Sequence, residues 1–167
     1  RKVAEAEIEK LNIELENTVM LRTKDLREAM QQLEKSKDRL ENVLSFQKTL
    51  LDTAGAMIIA TDENGIIKLF NPEAACKLGY NESEVVNKET PALFHSKKDI
   101  ERKRKELMKL FGVKLKNSFD ILVEKTRRNI REEEQYIYVG KNGASFPVSL
   151  TITKLKDVKG NISGYIG

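Results

Sequence analysis

Few side chains in this sequence are of a type suited to chemistry, and His95, the sole histidine, is the first of them. An imidazole can move protons, hold a metal or contact a ligand near neutral pH. It stands in Phe94-His95-Ser96-Lys97, just ahead of a basic helical run. Its plainer role there is a hydrogen bond at a loop or helix start. Cys76, the sole cysteine, lies in Ala75-Cys76-Lys77-Leu78-Gly79 with no recognisable catalytic partner motif. We read it as a small buried core residue. No Ser/His/Asp set and no phosphate-cradling glycine loop is evident. One cysteine excludes an internal disulfide and a multi-cysteine zinc site, and with one histidine the supply of soft metal ligands is nearly exhausted. Neither catalysis nor a metal centre is expected from these residues.

Composition narrows the partners. The 30 basic and 26 acidic residues leave a dispersed net charge of +4, without the basic face and spaced aromatics that nucleic acid requires. The run Lys97 to Lys109 is basic, but Asp99, Glu101 and Glu106 interrupt it, as in a solvated helix face. No apolar run approaches the roughly 18–20 residues that span a bilayer, so no membrane contact is expected within this fragment. Cysteine usage suits a reducing, cytoplasmic setting. A first residue that is not methionine reads as a piece of a longer protein, with room for a membrane segment upstream.

The elements that must position these residues fall into two parts. From Arg1 to about Leu51 there is no proline or glycine, and good helix formers dominate. Ile8, Leu11 and Leu15, then Leu26, Leu33 and Leu40, with Val43 and Leu50, form one stripe at helical spacing. The seven-residue steps from Leu26 to Leu40 predict a two-stranded parallel coiled coil, with these eight residues as a homodimer interface. Continuing the first register would put Arg22 and Asp25 in the seam. The step from Leu15 to Leu26 is a heptad plus four, a stutter that locally unwinds the supercoil. Two plainer readings compete: a lone amphipathic helix folding back on its own domain, or a helix without order outside its parent.

After Leu51 short β-like runs alternate with turns. Asp52-Thr53-Ala54-Gly55 breaks the helix. Asn64-Gly65 between two apolar runs is a hairpin signal. Asn71 suits an N-cap and Pro72 a first turn. A short helix follows at Asn81 or Ser83, and a longer one over residues 96–110, with Ile100, Leu107, Met108 and Leu110 inward. One or two further turns are expected near Phe119 to Val123, then a charged loop from Thr126 to Glu134. A strand at Gln135–Val139 leads through Lys141-Asn142-Gly143 into an alternating strand with Phe146, Val148, Leu150 and Ile152 on one face. A last strand begins at Ile162 and is still running at Gly167. The fold class expected is α+β: a long helix (1–51), then a domain (52–167) with an antiparallel five-stranded sheet and helices on one face.

Residues 57–86, "MIIATDENGIIKLFNPEAACKLGYNESEVV", and the last three strand-like runs together resemble the PAS family of sensor domains. The resemblance covers roughly residues 50–167. "TVMLRTKDL" is similar to coiled coils that feed PAS domains in bacterial two-component and cyclic-dinucleotide signalling proteins. Two departures matter. The reactive cysteine motif of the flavin-binding light sensors is missing, and His95 precedes the central helix that carries the axial histidine of haem-binding members. Neither flavin nor haem is supported by motif; a small metabolite is one option, and the resemblance leaves the ligand unidentified because PAS pockets bind chemically diverse molecules. The resemblance places a pocket between sheet and central helices, where Asn71, Tyr80, His95 and Tyr138 are the polar-tipped candidates; plain core is the competing reading for the aromatic side chains. It implies a non-catalytic sensory and dimerisation input module, with a histidine kinase or diguanylate cyclase output beyond Gly167. A ligand-free dimerisation spacer and a PAS domain docking a protein partner are the alternatives.

Overall fold

A single helix, α1 (Lys2–Asp52), comes first in the computed structural model, which describes residues 2–115, 117–131 and 133–167. With no glycine or proline before Gly55, nothing in this stretch interrupts the i to i+4 ladder. Ile8, Leu11, Leu15, Leu26, Leu33, Leu40, Val43 and Leu50 are all exposed along it, between 46% and 71%. Thr18 and Thr23 bond back to the carbonyls of Glu14 (2.8 Å) and Val19 (2.7 Å), bracketing the break in the heptad pattern. The chain divides into two compact units, Arg1–Thr49 and Leu50–Gly167.

In the second unit β1 (Ile59–Asp62) and β2 (Ile67–Phe70) form the expected hairpin. Asp62 Oδ1 accepts from the amides of Asn64 (3.0 Å) and Ile66 (2.9 Å), and Gly65 takes a φ of +90°. Three helices follow: α2 (Pro72–Leu78), α3 (Glu82–Val85) and, after a 3-10 turn at Pro91–Phe94, α4 (Lys97–Phe111). Asn71, Asn81 and Ser96 are their N-caps or stand at the N-cap, and α2 and α4 end on Gly79 and Gly112 in the left-handed region. Then come α5 (Ser118–Arg127), β3 (Glu133–Val139), β4 (Ser145–Thr151), β5 (Thr153–Lys156) and β6 (Ile162–Ile166). The region expected to be a charged loop from Thr126 is helical through Arg127 and strand from Glu133.

All strand pairs are antiparallel. The order is β2-β1-β6-β5 in one sheet and β3-β4 in a second. Among the described residues six strands stand where five were expected, because the alternating strand breaks at Ile152. Its first part pairs only with β3, and its second only with β6.

The core lies between sheet and helices. Phe94 is fully buried, stacked on Phe70 (5.6 Å between centroids) and edge-on to Tyr80 (5.5 Å). On α4 the buried stripe is Ile100, Lys103 and Leu107, whereas Met108 and Leu110 are exposed, contrary to the expectation that they face inward. Spacings of three and four put Lys103 on the inner line, and Met108 and Leu110 on the flanks. Cys76 is likewise exposed rather than buried. Ala74 and Leu78 occupy the inner face of α2, and Cys76 is two residues, about 200°, away from Ala74.

Candidate functional site

Ile59 and Thr61 point inward from β1, and Tyr165 from the facing β6. Opposite them stand Phe119, Leu122 and Val123 of α5. Between these walls lies a cavity of about 720 Å³, lined at its sides by Met57, His95, Tyr138 and the whole of Phe146 to Thr153. Its inner walls are mainly apolar, and the polar side chains buried there are Thr61 and His95.

Of the four candidate pocket residues, the fold brings His95 and Tyr138 together on this cavity. Their backbones form an isolated antiparallel bridge, and their rings meet edge-on at 4.8 Å. Tyr136 also meets the imidazole edge-on, at 4.8 Å. Asn71 and Tyr80 are not on the cavity wall. Tyr80 packs against Phe94, with Lys141 Nζ 5.7 Å from its ring.

His95 is 5% exposed, and neither ring nitrogen has a hydrogen-bond partner. Burial holds its pKa down at about 4, against a weaker upward pull from the Asp99 carboxylate. Burial likewise raises the Tyr138 phenol. At neutral pH the imidazole is therefore uncharged, an apolar-walled ring with an idle donor and an idle acceptor. Because its folded pKa lies below the unfolded value, the unfolded state takes up the proton first. The stability this group contributes is complete above pH 6.5 and is lost as pH falls toward 4. That loss should approach about 3 kcal/mol. A His95→Phe variant keeps a ring against the two tyrosines, and should unfold with a smaller difference in stability between pH 7 and 4.5 than the parent. Equal pH dependence in urea titrations of the two would refute the assignment.

Asn71 has a different task. Its Oδ1 accepts from the amides of Ile58 (2.8 Å) and Ala74 (3.1 Å), and its Nδ2 donates to the carbonyls of Leu51 (3.2 Å) and Ala56 (3.0 Å). One buried amide thus ties the last turn of α1, the segment entering β1 and the start of α2. The sequence marked Asn71 as a cap, but the other three bonds come from the tertiary fold.

A second cluster went unnoticed in the sequence. Lys103 Nζ lies 2.5 Å from Glu134 Oε1 and 3.1 Å from Glu106 Oε1. Lys125 Nζ lies 2.8 Å and 3.1 Å from the same two oxygens. Tyr136 donates its hydroxyl to Glu134 Oε2 (2.8 Å). Burial raises the Glu134 pKa, but the bonds from Lys103, Lys125 and Tyr136 outweigh it and bring the carboxyl down to about 2. These groups join α4, α5 and β3. Among the described residues no group of His, Cys, Asp and Glu is placed to hold a metal ion.

Comparison with known proteins agrees with this architecture. The PAS fold family model matches residues 45–167. No curated protein matches the chain. Among solved structures, the chain is similar to the PAS domain of an HTR-like protein from Haloarcula marismortui. The two are 18% identical, the match covers 80% of this chain and 94% of that one, and the TM-score is 0.55. A PAS domain of a protein from Colwellia psychrerythraea shares 14% identity over 74% and 92% of the two chains, with a TM-score of 0.58. A PAS domain from a two-component sensor histidine kinase shares 13% over 75% and 93%, with a TM-score of 0.53. At such identities the likeness is one of fold.

Proposed function

This chain belongs to the PAS family, and from that premise we propose that it is a non-catalytic input module of a signal-transduction protein. In this reading residues 1–51 are a parallel coiled coil that pairs two copies, and residues 52–167 are the sensor domain. A small ligand in the cavity beside His95 and Tyr138, or a signal arriving along the helix, shifts the junction at residues 50–56 and so biases an output domain elsewhere in the protein. A coil with few stable registers turns such a shift into discrete states. Fold alone does not identify the ligand.

The observation that carries the proposal is the exposed leucine stripe on α1, which leads into a domain of sensory type. Eight exposed aliphatic side chains at seam spacing on one helix need a partner, and a second copy supplies the same seam. Among the described residues no helix is long and apolar enough to cross a membrane.

Sedimentation tests the pairing. The parent should run as a dimer, and Leu33→Asp, which buries a charge in each strand of the seam, should run as a monomer at the same concentration. A monomeric parent, or a Leu33→Asp variant that stays dimeric, would remove the coil. Mass spectrometry of the denatured supernatant tests the sensor. One stoichiometric small molecule supports it, and its absence from protein purified without prolonged dialysis favours the spacer.

A further inference from the structure

Polar side chains buried in a folded protein nearly always find a hydrogen-bond partner, so the few that do not need a cause. Among the described residues four buried side-chain atoms have none, and three of them are Thr61 Oγ1 and the two ring nitrogens of His95. Thr61 comes from β1 and His95 from the turn ahead of α4, yet both residues line the same cavity. The fourth atom, Arg104 Nε, belongs to α4 and has the Glu101 carboxylate 3.2 Å away.

The three atoms on the cavity make a definite demand. An uncharged imidazole carries one N–H donor and one acceptor nitrogen, and a threonine hydroxyl serves as either. Left unmet among apolar side chains they cost free energy, which a ligand that pairs with them recovers. The wall around them asks for nothing polar. Ile59 of β1 and Phe119, Leu122 and Val123 of α5 are apolar and buried. Tyr165 of β6 meets the Phe119 ring edge-on at 5.7 Å, and its hydroxyl already accepts from Arg127 Nε (3.0 Å). An apolar enclosure with a few convergent polar groups is the usual form of a small-molecule site.

Unpaired charge is missing from this wall. The charged residues on the cavity are Glu73 and Lys77, which face each other along α2 at 3.7 Å. Arg127, bonded to Tyr165, is held by the Asp120 carboxylate at 2.8 Å. A carboxylate or phosphate entering the cavity thus meets no unpaired cation among these groups, and an ammonium no unpaired carboxylate. Either would lose its water without compensation.

We propose that the cavity binds an uncharged, mainly apolar molecule whose single polar head, of the amide or hydroxyl kind, both donates and accepts hydrogen bonds at His95 and Thr61. Its apolar body lies against Phe119, Leu122 and Val123. Nucleotides, phosphate esters and polycarboxylates are thereby excluded as the signal. This ligand class rests on the input-module reading and narrows it.

Three probes of nearly equal shape test the class: 2-naphthamide, naphthalene and 2-naphthoate, titrated at neutral pH into the 167-residue chain, whose lack of tryptophan leaves naphthyl fluorescence clear. The amide should bind about tenfold more tightly than naphthalene, because only the amide pairs with the buried polar atoms. It should bind about 100-fold more tightly than the carboxylate, which must shed its hydration. Thr61→Val and His95→Phe each keep the shape of the wall. Both should bring the amide toward the affinity of naphthalene, while naphthalene itself binds each variant as it binds the parent. An amide that binds no better than naphthalene, a carboxylate that matches the amide, or a preference that survives both substitutions would overturn the ligand class and leave the input-module reading standing. Failure of all three probes to bind the folded chain would overturn the class together with the ligand half of that reading.

Discussion

Asn71→Ala is expected to cost about 3 kcal/mol of unfolding free energy. Losing the cap of α2 accounts for about 1 kcal/mol. The Ile58 amide then loses its acceptor at a part-buried position, which adds about 1–2 kcal/mol. The carbonyls of Leu51 and Ala56 lose their donors too, but Ala56 is exposed and water replaces part of that bond. Asn71→Asp separates the two roles. It keeps an acceptor for Ala74 and Ile58, and turns a carboxylate toward the two carbonyls that the amide had satisfied. Helix α2 should survive in that variant, while amides between Leu51 and Ile58 exchange faster. Urea titration supplies the first number and hydrogen exchange the second. An Asn71→Ala penalty near 1 kcal/mol, with unchanged exchange in Asn71→Asp, would reduce Asn71 to a helix cap without a tie to Leu51 and Ala56.

Glu134→Ala should be at least as damaging, at about 3–5 kcal/mol, because it takes the closer of two carboxylates, Glu134 and Glu106, from the buried Lys103 ammonium. The Lys103 side chain is 4% exposed, so water cannot easily make up the loss. Lys103→Met should cost less. Its stem already packs on the stripe between Ile100 and Leu107, and Lys125 still neutralises Glu134. The order of the two variants, Glu134→Ala below Lys103→Met, is the point at issue in thermal or urea unfolding; the reverse order would mean that the pairs contribute nothing beyond surface ion pairs. The pH dependence has a definite sign. The folded Glu134 pKa lies below its usual 4.5, so its contribution is complete above that value and is lost as pH falls toward 2. The loss attributed to His95 begins two units higher. A variant lacking both groups should therefore show the flattest acid limb.

Lys103 and Glu134 were hidden in the sequence for the same reason. Lys103 sits in a run of alternating charges that reads as a solvated face, and only the approach of β3 and α5 makes one position of that run an interior one. Glu134 belongs to a charged stretch expected to be a loop. A lysine on a buried line leaves one trace in the sequence, its spacing of three from Ile100 and four from Leu107. That trace is weak, because Met108 and Leu110 offered more apolar choices and turned out to lie on the flanks. Cys76 failed similarly, since apolar character suggested burial where helical phase put it outside.

What the sequence determined by itself is local. The unbroken helix of α1, the Asn64-Gly65 hairpin, the caps at Asn71, Asn81 and Ser96, the stops at Gly79 and Gly112, and the order of elements that resembles PAS domains all rest on residues within a few positions of each other. Backbone sterics and capping bonds act over that range, so residue type suffices to read them. The tertiary structure decided which candidates meet the cavity. His95 and Tyr138 join there because β3 crosses behind the turn that ends at Phe94, while Asn71 spends all four of its hydrogen bonds on the junction. It also decided that the alternating strand breaks at Ile152, its two parts pairing with β3 and β6. Those outcomes depend on partners 10 to 100 positions away, brought together by packing of the whole core, and no local pattern carries that information.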